Sequence, residues 1–342
     1  MSLKSFGPLL ISRSLAAIAA TIILIAPAEA QIQKAIKTSS PAKVWLPTRT
    51  PDGQPDLQGI WTNATITPFE RPAALAGKAT LTEQETAALE SRASENRVDR
   101  PPKPDDPGNY NQAFFDGGTT WLATRQSSLV VEPSNGRVPV KPSAEAQRDY
   151  DLAHVADSYK HQTTWERCIT RGVPAGMFPA GYNNAYQILQ TPGYVVIFSE
   201  MIHEARAIPL DGRPHLPQSV RQWNGDSIGH WEDDTLVVDT TNYNGEGMIA
   251  TSAATARIRG IHESEALHVV ERFKRVDVNT ISYEVTIDDP NMFSAPWKVS
   301  MPLTKDANYR IYEYACHEGN YAMDDILRAG RTKESAAAAA VK

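Results

Sequence analysis

The sequence predicts an all-β fold, an antiparallel meander curled into a lipocalin-like barrel or a sandwich, with two or three peripheral helices. Three observations predict it. From Ala185 onward, runs rich in Val, Ile, Thr, Tyr and Phe recur between tight-turn signals such as Thr191-Pro192-Gly193 and Asp233-Asp234. Within several runs apolar and polar residues alternate, the period of a strand with one buried face. Most connections between them are too short to hold a helix, so neighbouring runs pair as hairpins.

Ahead of these hairpins the chain is less regular. Residues 1–30 read as a secretory signal: Lys4 and Arg13 are basic, Ser14–Ala26 is apolar, and Ala28-Glu29-Ala30 is a small-x-small cleavage site before Gln31. The apolar run is too short and wrongly flanked for a stable anchor, and no cysteine follows the cleavage site to carry a lipid. An exported chain, periplasmic or secreted and without a membrane anchor, is expected. Cleavage leaves 32 basic against 39 acidic residues, a net charge of −7 where the whole chain carries −6. Mild acidity argues against nucleic acid as a partner; a small molecule is the partner expected, and the oligomeric state is left open.

Residues 31–54 form an extended lead-in, and 55–331 a single β-rich domain that is irregular to about residue 160. Its first strand is Asp56–Trp61, where Gly59 and Trp61 give the G-x-W pattern that opens many lipocalin-like barrels. Thr82 and Glu85 form a capping box opening a helix to about Asn96. Arg97–Gly108 holds four prolines and excludes regular structure. Ser127–Glu132 reads as a strand and Ser143–Tyr159 as a surface helix. The hairpin strands are Ala185–Gln190 with Tyr194–Glu200, then Ala205–Leu210, Ser227–Glu232 with Thr235–Thr240, Leu267–Arg275 with Thr280–Asp288, and Trp297–Leu303 with Tyr309–His317. That is about eleven strands. Asn242–Gly260 is a loop of small residues, and the low-complexity Ala336–Ala340 predicts a disordered tail over 332–342.

Register follows from requiring both faces of each hairpin to be consistent. A three-residue loop at Asp277-Val278-Asn279 pairs Phe273 with Tyr283, Glu271 with Val285 and Val269 with Ile287. The other face then pairs Arg272 with Glu284 and His268 with Asp288. A two-residue Asp233-Asp234 loop pairs Trp231 with Leu236 and His230 with Val237. A four-residue loop at 305–308 pairs Trp297 with Cys316, placing that cysteine inward. Cys168 and Cys316 are the only cysteines, and one disulfide is the simplest reading in an oxidising compartment, ahead of a cysteine nucleophile or metal ligand at Cys316-His317-Glu318.

Chemistry is sought where polar residues interrupt this pattern. Glu271 is a lone carboxylate in an apolar stripe; it is either paired with a buried arginine for structure or a general acid/base in a pocket. His230 and Asp239 share a face as diagonal neighbours about 7–8 Å apart at the backbone, so Glu271, His230 and Asp239 are the candidate catalytic groups. Arg213, His215, Arg206 and His317 are candidate binders of a polar or anionic substrate, and Trp223 and Trp231 an apolar wall. Glu166-Arg167 reads as an ion pair bracing Cys168. His-Glu dipeptides recur at 203–204, 262–263 and 317–318, but no H-x-H, H-E-x-x-H or C-x-x-C spacing occurs; no cofactor is expected, and a divalent metal is the less favoured reading. Gly225–Gly229 spells G-x-S-x-G, yet Ser227 enters a hairpin rather than a strand-to-helix elbow. The expected function is an exported enzyme acting by acid–base chemistry of the hydrolase, lyase or isomerase type on a small organic molecule. The alternative is a non-catalytic lipocalin-like binder of a small hydrophobic ligand. Convergence of His230, His215, His317 and Glu271 would favour the enzyme.

Taken together, E-R-C (166–168), D-G-R-P-H (211–215), W-N-G-D-S-I-G-H-W-E-D-D-T-L-V-V-D-T-T (223–241), L-H-V-V-E-R-F (267–273) and Y-A-C-H-E-G-N-Y (314–321) resemble an uncharacterised family of exported bacterial proteins of about 300 residues. S-S-L-V-V-E-P-S-N-G-R-V-P (127–139) extends the resemblance over most of the chain. It implies an exported, soluble, β-rich protein and transfers no activity.

Overall fold

A computed structural model describes residues 45–97 and 115–340. The signal-like segment 1–30, the lead-in as far as 44, most of the proline-rich stretch 97–108 and residues 341–342 lie outside the described residues. Ten strands form one sheet: β1 (Gly59–Thr62), β2 (Val130–Glu132), β3 (Ala185–Thr191), β4 (Tyr194–Ser199), β5 (Glu204–Pro209), β6 (Asp226–Glu232), β7 (Thr235–Thr241), β8 (His268–Asp277), β9 (Thr280–Asp288) and β10 (Trp297–Lys305). Their order is β5-β4-β3-β1-β10-β9-β8-β7-β6, with β2 on β10, and all pairings are antiparallel. The two ends, β5 and β6, come together, so the sheet is a nearly closed barrel.

The register worked out from the two faces holds. Phe273 faces Tyr283, Glu271 faces Val285, Val269 faces Ile287, Trp231 faces Leu236 and His230 faces Val237. The inward positions of β8, β9 and β10 — Val269, Phe273, Ile281, Tyr283, Val285, Ile287, Trp297, Val299 and Leu303 — are fully enclosed and make up much of the core. Trp61 of β1 is enclosed too; its Nε1 donates to the Leu57 carbonyl at 2.9 Å and the Arg275 guanidinium lies 5.7 Å from its ring centre. The loop of small residues after β7 is buried rather than solvated: Tyr243, Ile249, Ala250, Ile258 and Ile261 pack into the same core.

Three helices lie outside the sheet among the described residues: α1 (Glu83–Asn96), α2 (Pro142–Ala153) and α3 (Ala322–Ala340). The capping box at Thr82 and Glu85 is formed in full. Arg257 ties the irregular N-terminal part to the body: it holds the buried Glu70 at 2.7 Å and also pairs with Glu145 of α2.

Two expectations need correcting. Tyr309–His317 is not a strand. A strand has two edges, and β10 spends one on β9 and the other on β1 and β2 (Trp61 with Lys305, Val299 with Val130), leaving no edge for an eleventh strand. Cys316 therefore does not sit opposite Trp297. The disulfide to Cys168 forms all the same, with an S–S distance of 2.03 Å and Cα atoms 5.6 Å apart. Residues 332–340, expected to be disordered, continue helix α3, consistent with the high helix propensity of alanine. Gly330 faces Ala156, where an added Cβ would come within 2.8 Å, so the glycine permits that close contact.

Candidate functional site

The gap between β5 and β6 is the most site-like feature of the described barrel. These edge strands close on each other only in part. At Gly229 of β6 an added Cβ would meet Leu210 at 2.8 Å and Ile208 at 2.9 Å, so glycine lets β6 press against the end of β5. Beside this contact the strands part around a cleft of about 380 Å³, walled by Tyr194, Arg206, Arg213, Gln222, Asn224 and Asp226. The loop 211–222 runs along its rim. A smaller chamber of about 30 Å³ shares Arg206 and Asn224 with the cleft and adds Arg171, Ser199 and Glu204.

Alternation along β5 puts Glu204 and Arg206 on one face. From there Arg206 crosses to β8: its Nη1 donates to Glu271 Oε2 at 2.6 Å and its Nη2 to Oε1 at 3.1 Å. Tyr283 Oη donates to the same Oε1 at 3.0 Å. Burial works against the guanidinium charge, but the Glu271 carboxylate more than offsets this and raises the Arg206 pKa above its ordinary value. Glu271 is 0% exposed and its oxygens are filled by these donors. Of the two readings of this residue, the structural pair is the one formed.

Asp239 is paired differently from expectation. His230 is exposed and lies 3.2 Å from Glu232, so the expected His230–Asp239 pair does not form. Asp239 instead accepts from His215 Nε2 at 2.9 Å and from His268 Nε2 at 2.7 Å. His215 Nδ1 lies 3.0 Å from Asp226, on the cleft wall, and the Leu216 backbone N–H donates to the same carboxylate. Burial alone would raise the Asp239 pKa, but the hydrogen bonds from His268 and His215 bring it below the carboxylate norm. The hydrogen bond to Asp239 in turn raises the pKa of His268. His268 is thus a surface ion-pair residue, with Asp239 as the partner instead of Asp288.

The remaining candidates scatter. Arg213 lines the cleft but is exposed and folded onto Asp211, 2.6 Å away. His317 is exposed in the irregular stretch beside the disulfide. Trp223 stacks under Arg167 at 5.7 Å, and Trp231 packs on the core, so neither walls the cleft. Glu166 pairs with Arg259 rather than Arg167. Ser227 is buried 2.9 Å from Thr240, with no histidine in reach. His230, His215, His317 and Glu271 do not converge.

Sequence reading passed over Arg171, Asn224 and Asp226. Asp226 stood inside a conspicuous motif, but only the path of the 211–222 loop brings His215 to it. No group of three or more His, Cys, Asp or Glu residues arranged to hold a metal ion occurs among the described residues. No family model, curated protein or solved structure matches the chain.

Proposed function

We propose that the chain binds a small polar organic molecule in the cleft between β5 and β6. The observation that carries this is the cleft itself: about 380 Å³, the size range of small-molecule pockets, with guanidinium, carboxylate and amide groups on its walls and Tyr194 as an aromatic side. A lipocalin-type site for a hydrophobic ligand would be lined by Phe, Leu and Met. Here such residues fill the barrel interior, and the open cleft sets charged and amide groups among alanine, proline and a single leucine.

The test is cleft filling. Ala207 lines the cleft from the outer face of β5, and Ala207→Trp occupies it without disturbing the core. Compounds that raise the melting temperature of the parent protein should lose that effect in the variant while its circular dichroism is unchanged. A library in which every hit acts equally on both proteins overturns the reading.

Acid–base catalysis is the second reading, favoured by one observation. Asp226 stands on the cleft wall at the end of a string of hydrogen-bonded titratable groups, His215, Asp239 and His268, along which a proton can be held or passed. Asp226→Asn would then abolish turnover of ester or glycoside substrates while leaving binding intact; loss of both together speaks against catalysis. Export belongs to the same proposal, supported by the signal-like first thirty residues and the disulfide. An exported chain that still begins at Met1 would count against it. Membership of the family that the quoted motifs resemble is proposed on those motifs alone.

A further inference from the structure

Nine of the strands follow one another round the barrel from β5 to β6, with β2 lying off this path on β10. Eight antiparallel steps separate β5 from β6, and an even number of reversals leaves two strands running the same way. The seam therefore brings two parallel edges together in a sheet whose pairings are all antiparallel. Among the described residues no strand pairs with either edge. One more strand between them, antiparallel to both, gives the ring the even number that fully antiparallel closure requires.

The register fixes which main-chain groups are open. Antiparallel strands bond through alternate residues, and the residues between point their N–H and C=O the other way. The Leu210 N–H donates to the Gly193 carbonyl at 2.9 Å, so the residues of the same parity, Ile208, Arg206 and Glu204, are spent on β4. Ala205 and Ala207 turn theirs to the seam. On β6 the two-residue loop makes Glu232 and Thr235 the closing hydrogen-bonded pair, which commits Glu232, His230, Ile228 and Asp226 to β7. Ser227 and Gly229 turn theirs to the seam. Ala205, Ala207 and Ser227 line the cleft, and both alanines are exposed. Sheet edges are ordinarily shielded by lysine, proline or a covering element. At these two positions a methyl group leaves the backbone within reach.

We propose that the cleft takes a short extended peptide, which pairs as a strand between β5 and β6. The assignment rests on the seam cleft being a binding site and gives its ligand a peptide backbone. In a tripeptide antiparallel to β5, the first and third residues exchange N–H···O=C bonds with Ala207 and Ala205. The middle residue points its own groups the other way, toward Ser227. Gly229, pressed against Ile208 and Leu210, shuts the seam at the C-terminal ends of both strands and bounds the ligand there. The outer two side chains share the exposed face of Ala205 and Ala207, beside Tyr194 and Arg213. The middle one lies on the inward face with Arg206, where a small residue is suited.

The probe is the blocked tripeptide N-acetyl-Thr-Ala-Thr-amide, with threonine chosen for strand propensity, titrated into the whole protein by calorimetry. Methylating both threonine nitrogens removes the donors to the Ala205 and Ala207 carbonyls and should weaken binding about ten-fold or more. Ala207→Pro deletes a seam N–H without touching the pairing to β4, a position where an edge strand accepts proline, and should weaken binding as much. Ala207→Trp should block the probe. Hydrogen exchange measured by NMR at the Ala205 and Ala207 amides should slow when the probe is added. Equal binding of methylated and unmethylated probe, no binding at millimolar concentration, or unchanged exchange at both alanines overturns the strand pairing and leaves the cleft standing. A probe that binds Ala207→Trp as well as the parent overturns the cleft reading. A parent that sediments as a dimer, with Ala207→Pro a monomer, puts a second copy of the chain on this edge and overturns the peptide. The methylated probe needs no variant, so the test survives an Ala207→Pro that does not fold.

Discussion

Glu271 has no exposed surface, and its charge is tolerable because Arg206 and Tyr283 fill its oxygens. Taking one partner from a buried ion pair strands the other charge, whereas replacing both with apolar side chains of similar size is often neutral. Arg206→Met is therefore expected to cost about 3–5 kcal/mol, and adding Glu271→Leu to recover most of it. Urea denaturation of the parent, the single variant and the double variant measures this cycle; a double variant as unstable as Arg206→Met would sink the argument. The pair was half legible in the sequence. Alternation along β8 marked Glu271 as the one carboxylate in an apolar stripe, and alternation along β5 put Arg206 on the face with Glu204. What joined them was barrel closure, which brings together strands that are not neighbours in the sheet order. No local pattern encodes that. Arg171 was less legible still, because it lies in irregular chain where no period says which residues face inward.

At the scale of elements, the hairpins could be read and their surroundings could not. Turn chemistry and two-face consistency fixed the registers of β6–β7 and β8–β9. Both rules act between adjacent strands, so they gave Trp297–Leu303 an eleventh partner that β1 and β2 had already displaced. The loop 211–222 is another case: it is held by segments distant in sequence, its Leu216, Pro217 and Val220 carbonyls accepting from the Asn242 amide and its Gln222 backbone pairing with Asn242 and Asn244. His215 fastens it between Asp226 of β6 and Asp239 of β7, and His268 of β8 supports Asp239 from the other side. This latch should depend on pH. The pKa of His268 is raised from 6.5, so its contribution is complete below about pH 6.5 and lost as the pH rises through the folded value. The pKa of Asp239 is lowered from 3.8, so its contribution is present above about pH 4 and lost only in stronger acid. Asp239→Asn should therefore destabilise most between those limits. Both groups are partly exposed, so solvent screening keeps the penalty to about 1 kcal/mol or less. Urea midpoints for parent and variant at about pH 5.5 and 8.5 compare the two regimes; a penalty of the same size at both would rule the latch out.

For the whole molecule, the question is how the C-terminal part is held. Residues 306–340 add no strand to the barrel. Their attachments are mostly single side-chain contacts, among them Tyr309 Oη donating to Glu200 at 2.8 Å, His203 Nδ1 donating to the Tyr314 carbonyl at 2.7 Å, Arg331 donating to the Ala156 carbonyl at 3.0 Å, and Gly330 touching Ala156. The Tyr314 ring also stacks on Tyr182 and the Asp306 backbone N–H donates to the Ile60 carbonyl, and the disulfide adds a covalent tie spanning 148 residues of sequence. In the chain-entropy view, closing so long a loop is worth about 5 kcal/mol against full unfolding. Yet a segment that contributes nothing to the sheet can open without the sheet opening, since stability is distributed in local units. Reduction should therefore act in two stages. Under native conditions, hydrogen exchange should speed up over residues 306–340 and around Cys168, while β7, β8 and β9 keep their protection. In urea, where the barrel itself unfolds, the reduced protein should lose up to about 5 kcal/mol relative to the oxidised one. Exchange that rises evenly through β7–β9 on reduction would mean that the C-terminal part and the barrel unfold as one unit.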